Sequence, residues 1–418
     1  MNVLLIGGGG REHALARKIS QSPLLEKFFA IPGSPGIKNF ATCVEKISTD
    51  DNAAIVTFAR DNAIDLVVIG PEAPLVNGLV DALNAAGIKA FGPTQDAAQI
   101  EGSKIFAKRL MKKYSIPTAD FEVFDDIDAA KNYIRAKGAP IVVKADGLAA
   151  GKGVIVAQTL DEALNAVDEM KTFGAAGSKI VVEEFMDGEE SSVLALTDGE
   201  KILPLIAAQD HKRALDGDKG LNTGGMGAYA PAPVVDEKIA AQVEEKILKP
   251  TIAALKSEGI TYRGCLYAGL MIVDGAPKVV EFNCRFGDPE TQVVLPLMES
   301  DLLELMNACA AGNLSDKKIS WSGGSAVCVI LASYGYPKSY RKNLPIDGVL
   351  KAKSMGALVF HAGTKLSGDK LLTSGGRVLG VTVTAPTLRE AVDKVYGCID
   401  VIHFDDMHFR RDIAVKAL

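Results

Sequence analysis

The first hundred residues alternate short apolar runs with stretches of helical period. NVLLIG (2–7) precedes EHALARKI (12–19), whose apolar residues recur at three- and four-residue steps, and KFFAIP (27–32), DLVVIG (65–70) and KAFG (89–92) are further runs closed by glycine or proline. Apolar runs bounded in this way and separated by helical segments predict a parallel sheet with helical crossovers. From about residue 103 the pattern becomes mixed. It predicts a helix over SKIFAKRLMKKY (103–114), strands over IVVKA, GVIVA and KIVVEEF, a long loop from 209 to 233, and paired strands CLYAGLMIV and PKVVEFN. This reads as an α+β core with an inserted piece. The polar stretch Asn313 to Gly324 reads as a boundary, beyond which come strands SAVCVILAS and VLGVTVTA and the helical pattern LREAVDKVYGCI. The expected units are therefore residues 1–102, 103–324 and 325–418.

Length agrees with that division, since 418 residues at roughly 150 per domain make about three units, each able to bury a core. A net charge of -6 with 23% charged residues argues against nucleic acid as a partner, because a basic face supplies most of that affinity. The six cysteines are scattered through mostly apolar runs without a CxxC pair, which suits reduced core residues of a cytoplasmic protein. MNVLLIGGGG is too short an apolar run for a signal peptide, and no stretch has the length of a membrane span. The expectation is a soluble chain, a monomer with a homodimer as the alternative, and no membrane partner.

Several stretches carry candidate chemistry. KADGLAAGKG (144–153) looks like a phosphate loop but is not the hydrolase kind: only three residues separate Gly147 from Gly151, and Lys152 is followed by Gly153 where Ser or Thr would hold magnesium. Two lysines and four glycines after a strand still suit a polyphosphate. Gly7 to Gly10 follow a strand and open a helix, a place where backbone amides meet an anion. A dinucleotide is disfavoured there, because Glu12 occupies the position of the third glycine. Gly33-Ser34-Pro35-Gly36 and Gly70-Pro71-Glu72 end the next strands on the same sheet edge, either as plain turns or as ligand loops.

The most informative stretch is VVEFNCR (279–285). Strand alternation puts Glu281, Asn283 and Arg285 on one face and Val280, Phe282 and Cys284 on the other. A carboxylate and an amide oxygen two residues apart offer hard oxygen ligands to magnesium, with Arg285 beside a transferred phosphoryl group. A solvated strand face is the bland alternative, weakened by the acidic turn Gly287-Asp288-Pro289-Glu290 that follows. Lys104 and Lys144 are candidate phosphate contacts, and Glu183 and Glu184 at a strand end can reach a base and ribose, a solvated hairpin being the alternative. The 209–233 stretch carries Asp210, Lys212, Asn222, Thr223 and Gly224; His211 within it is given no proton-transfer role.

GGGGREHALA, GPEAPLVNGLVDAL, KADGLAAGKGVIVA, QDHKRALDGDKGLNTGGMGAY and above all EFNCRFGDPETQ together resemble the phosphoribosylamine-glycine ligase (glycinamide ribonucleotide synthetase) family; HAGTK and GGRVLGVT extend the likeness to the C-terminus. The resemblance implies an N-terminal Rossmann-like α/β domain, a central ATP-grasp domain with a mobile lid at about 118–190, and a C-terminal α+β domain. It implies ligation of glycine to 5-phosphoribosylamine with ATP, through glycyl phosphate, in the second step of purine synthesis, with magnesium or manganese. Carried onto this sequence, Glu281 and Asn283 would bind metal, and Arg285 and Asp288 would be catalytic. Lys104, Lys144, Gly151, Lys152, Gly153, Glu183, Glu184, Phe185 and Glu190 would hold the nucleotide, residues 144–153 being a flexible lid loop. Gly9, Gly10, Glu12, Gly33, Ser34, Gly36, Pro71, Glu72, Asp210, Lys212, Asn222, Thr223 and Gly224 would serve the other substrates. The strand CLYAGLM offers no further metal carboxylate. The competing readings are another carboxylate-amine ligase, a nicotinamide-dependent oxidoreductase, and a non-catalytic nucleotide-binding module.

Overall fold

A computed structural model describes residues 1–147 and 153–418. The chain opens with five parallel strands in the order Thr42–Cys43, Lys27–Pro32, Asn2–Gly7, Leu66–Ile69, Lys89–Phe91. Both faces of its central strands are covered, Leu4 and Ile6 in one core and Val3 and Leu5 in another, as the near-continuous apolar runs require. Strand order reverses between Asn2–Gly7 and Leu66–Ile69, which leaves a crevice at the carboxyl edge of that pair. Glu12 of the helix Gly10–Ile19 fills its floor. A Cβ on Gly7 would lie 2.6 Å from Glu12 Cγ, and one on Gly70 would overlap the Glu12 carboxylate, so both strand ends must be bare backbone.

The central segment forms two antiparallel sheets. One has the order Phe121–Phe124, Ile180–Glu184, Ile141–Ala145, Val154–Ala157. Helices Ile127–Lys137 and Leu160–Met170 cover one face and enclose a core of Ile134, Val143, Val167 and Val182. Register places Val142 opposite Glu183 and Lys144 opposite Val181, so Lys144 and Glu183 share the face away from those helices. The second sheet has the order Ile202–Pro204, Glu189–Thr197, Gly264–Val273, Ala276–Asn283.

Two expectations need correction. Register slips from Gly269↔Glu281 to Leu270↔Val279, which makes Val280 a bulge. Alternation therefore fails at Val280: Val279, Phe282 and Cys284 enter the core, while the Val280 carbonyl accepts from Lys144 Nζ at 3.2 Å. Nor is 209–233 a loop. It contains strands Gln209–Asp210, Arg213–Leu215, Lys219–Asn222 and Gly227–Ala230, and the last pairs with Ser325–Ser333. Ala228, Tyr229 and Ala230 are completely buried there, an apolar run too short to announce itself by period.

The C-terminal sheet continues from that strand through Ser325–Ser333 and Arg377–Ala385 to Leu358–His361, all antiparallel, with helix Leu388–Ile399 packed on it. All six cysteines are free, and five are buried. No helix among the described residues is long and apolar enough to cross a membrane.

Candidate active site

The two central sheets face each other across a cleft lined by lysines. Lys144 Nζ lies 2.9 Å from Glu183 Oε2, and Lys108 Nζ lies at the same distance from the same oxygen. All three side chains are almost wholly buried, and Glu183 Oε1 has no partner. Burial pulls Lys108 down to about 8, against the attraction of Glu183. Lys104 donates to the Gly147 carbonyl at 2.8 Å, and burial lowers its pKa although Glu281 opposes the shift. Glu184 is exposed at the strand end and Phe185 half-buried beside it. The Gly153 carbonyl accepts from the Ala145 amide, whereas Gly151 and Lys152 lie outside the described residues.

Across the cleft, Glu281 and Asn283 point from one face of their strand. Burial works to raise the Glu281 pKa, but Lys212, Lys144, Lys104 and Arg285 outweigh it and hold the group ionised. Lys212 forms an ion pair with Glu190 at 2.9 Å and faces Asp210, so its own pKa rises despite burial. Asp210 is pushed up by burial, with Lys212 pulling the other way. Among the described residues, no three His, Cys, Asp or Glu side chains converge as a metal cluster. The donor set is one carboxylate and one amide oxygen, which fits a magnesium ion that completes its shell with phosphate and water.

Arg285 connects this face to the N-terminal unit. Its Nη2 lies 2.9 Å from Glu101 Oε1 and donates to Asn283 Oδ1 at 3.2 Å, while Nε donates to Glu72 Oε2 at 3.3 Å. Glu72 also lies 3.9 Å from Arg11 Nη2, and Arg11 in turn holds Glu12 at 2.6 Å. Burial would raise the Glu72 pKa, yet Arg285 and Arg11 bring it below its ordinary value. Pro71 is the N-cap residue of the short helix that carries Glu72.

Beyond Arg11 lies a cavity of about 470 Å³ between the N- and C-terminal units. It gathers Gly9, Gly10, Gly33, Ser34 and Asp288 with Tyr336, Arg377 and the turn Ala362 to Thr364. The start of helix Gly10–Ile19 opens into it, a favourable place for a phosphate. Ser34 Oγ is buried without a partner, a hydroxyl free to meet a ligand. Asp288 accepts from the Arg11 amide at 3.3 Å and from Gln292 Nε2 at 2.8 Å. Burial opposes its ionisation, but Arg377 and Arg11 keep its pKa low. Arg377 Nη1 also donates to the Gly224 carbonyl and, at 2.8 Å, to the Asp288 carbonyl. Thr223 fastens its loop by donating from Oγ1 to the Lys212 carbonyl at 2.8 Å, and Asn222 pairs with Arg213.

Some residues expected at the substrate stand behind the cavity walls. Glu12 is below the glycine loop, with Oε2 accepting the Gly9 amide at 2.7 Å. Gly36 packs on His13 and His361. Sequence reasoning did not single out Arg11, Glu101, Lys108, Tyr336 or Arg377. For Arg377 the quoted GGRVLGVT stretch contained it; for Glu101 no local signal existed, since its partner Arg285 is far along the chain.

Two antiparallel sheets facing each other, with lysines on one and a Glu-x-Asn strand on the other, define the chain as an ATP-grasp protein. Three models of phosphoribosylglycinamide synthetase match in sequence: the N domain over residues 1–101, the ATP-grasp (A) domain over 102–291, and the C domain over 326–416. The chain belongs to the phosphoribosylglycinamide synthetase family. The phosphoribosylamine–glycine ligase of Vibrio cholerae is 51% identical over 428 residues, covering 100% of this chain and 99% of that protein. The ligase of Rhizobium meliloti is likewise 51% identical over 420 residues, covering 100% and 99%. The crystal structure of the Thermotoga maritima ligase superposes with a TM-score of 0.85 at 34% identity, covering 99% of this chain and 100% of that one. Biotin carboxylase of Campylobacter jejuni shares the fold alone, with a TM-score of 0.72 at 16% identity over 99% of this chain and 94% of that one.

Proposed function

We infer that the chain joins glycine to 5-phosphoribosylamine with ATP, giving glycinamide ribonucleotide, ADP and phosphate, in the second step of purine synthesis. It is a ligase that forms a C–N bond. A glycine carboxylate oxygen attacks the γ-phosphorus of ATP, the bond to the bridging oxygen breaks, and ADP leaves. The amine of phosphoribosylamine then attacks the carbonyl carbon of glycyl phosphate, and the C–O bond to phosphate breaks to leave the amide. Such phosphoryl transfer depends mainly on positioning and charge neutralisation.

The observation that carries the reading is the chain of contacts Arg285–Glu72–Arg11, which joins the lysine-lined cleft to the cavity at the glycine loop. It supports reading the two as a phosphoryl-transfer face and an anion pocket along one path. In this reading Lys104, Lys144, Gly151, Lys152, Gly153, Glu184, Phe185 and Glu190 hold the nucleotide. Arg285 turns from Asn283 to the transferred phosphoryl group, and Asp288 faces the reacting amine. Gly9, Gly10, Gly33 and Ser34 hold the ribose phosphate, with Asn222, Thr223 and Gly224 alongside. Asp210 and Lys212 lie near the glycine end.

Magnesium or manganese would be held by Glu281 and Asn283, and when bound it neutralises charge on the nucleotide phosphates. The working units are 1–102, 103–324 with a lid at about 118–190, and 325–418. The free, scattered cysteines and the composition support a cytoplasmic site of action. Glycine labelled with ¹⁸O in its carboxylate tests the intermediate. One label should appear in the released phosphate; phosphate without label would remove glycyl phosphate from the route.

A further inference from the structure

Beside Asp288, Tyr336 and Arg377, the cavity has three walls from distant parts of the chain: the glycine loop before helix Gly10–Ile19, the 33–36 loop, and the turn that follows strand Leu358–His361. One residue meets all three, His13, whose amide donates to the Gly9 carbonyl at 3.0 Å while its imidazole backs the other two. His13, on the first turns of the helix, is only 3% exposed. Its Nδ1 accepts the His361 amide at 2.8 Å, immediately before Ala362. A Cβ on Gly36 would overlap the His13 ring, so the 33–36 loop lies directly against it. Phe360 meets the ring edge-on at 5.5 Å, and Phe40 closes it from the side of the 33–36 loop at 5.9 Å.

An acceptor at Nδ1 requires the neutral tautomer with its proton on Nε2, because a backbone N–H can only donate. The His13–His361 bond also has no local substitute: His361 ends its strand, and its amide is buried between two units. A buried donor left without a partner is costly, so the turn would shift to find one.

We propose that His13 is a positioning residue that clamps the three walls of the cavity and so sets affinity for the phosphoribosyl substrate. This rests on assigning the cavity to phosphoribosylamine. His13 touches neither the nucleotide cleft nor the Glu281 face, so its effect is selective: it acts on one KM of three.

The test compares His13→Asn, which keeps an acceptor near the place of Nδ1, with His13→Leu, which has similar bulk and none. With freshly generated phosphoribosylamine, His13→Leu should raise its KM roughly tenfold, the consequence of one unpaired buried donor. KM for ATP and glycine and kcat should stay within about twofold, and His13→Asn should recover most of the loss. Gly36→Ala, which presses on the ring from the opposite wall, should raise the same KM with His13 intact, and its effect should shrink in the His13→Asn background. That pair decides the matter even if His13→Leu does not fold. Equal rises in all three KM values, an unchanged phosphoribosylamine KM, or an Asn variant as impaired as Leu would overturn the clamp. Ser34→Ala separates the two claims: if it raises the phosphoribosylamine KM while the His13 variants do not, the clamp fails alone. If Ser34→Ala also leaves it unchanged, the cavity assignment falls and takes the clamp with it.

Discussion

Glu101 Oε1 lies 2.9 Å from Arg285 Nη2, and Glu101 Oε2 accepts the Cys284 amide at 2.7 Å. One carboxylate therefore fixes both the guanidinium and the backbone that carries it. Burial pushes the Glu101 carboxyl up while Arg285 opposes the shift. Arg285→Ala should lower turnover about 10²–10³-fold, the loss expected for one transition-state donor. Glu101→Gln should cost roughly 10–100-fold in kcat with little change in the KM for ATP, because misplacement rather than absence is the defect. Steady-state kinetics decide this, and a Glu101→Gln enzyme with normal kcat would remove the anchoring role.

The buried set Lys108–Glu183–Lys144 makes a prediction about stability. Glu183→Ala leaves two lysines in the cleft without their carboxylate, and losing one partner of a buried pair costs about 3–5 kcal/mol. Urea unfolding should show that loss, and saturating ATP should recover part of it by giving Lys144 a phosphate partner. A loss below about 1 kcal/mol would mean that Glu183 is held for the nucleotide alone.

The same cleft shows what could be read in the sequence. Glu281, Asn283 and Arg285 were legible because a strand of known polarity repeats every two residues, and that parity survives beyond the bulge. Val280 was misplaced because a bulge depends on the partner strand. Glu183 was legible as an acid at a strand end, but its pairing with Lys144 required strand register and its pairing with Lys108 the packing of helix Lys104–Lys113 on that sheet. Gly227–Ala230 was hidden because strand pairing with Ser325–Ser333, not local pattern, makes it a strand. Arg377 and Glu101 act at long range, and their partners are fixed only once the units pack.

Acid should weaken the fold through buried imidazoles. Burial lowers His361 from 6.5 to about 4, with Lys353 adding to it. Burial likewise takes His211 down to about 3, helped by Arg410, and holds His13 well below its usual value. These groups stay neutral in the fold but gain protons near pH 6.5 when the chain unfolds. The unfolded state then binds more protons, so their stabilisation is complete above about pH 6.5 and is lost as pH falls towards 4. The slope is up to about 1.4 kcal/mol per pH unit for each histidine. The urea midpoint should fall between pH 6.5 and 5, and less steeply in His361→Asn; a constant midpoint would contradict this.

Metal removal should stop turnover and leave the fold intact, because Glu281 and Asn283 belong to a strand paired along its length with Gly264–Val273. Glu281→Gln should raise the magnesium concentration needed for half-maximal rate by about tenfold or more, having lost the one charged ligand. Titration of ADP release with magnesium measures it. An unchanged requirement would place the metal elsewhere.

The most direct test of the ligase reaction is ADP release in the presence of magnesium, ATP, glycine and freshly generated phosphoribosylamine, omitting one component at a time. Sustained ADP release is expected only with all four, with glycinamide ribonucleotide formed in equal amount. Steady release without phosphoribosylamine, or with another acid in place of glycine at the same rate, would contradict it.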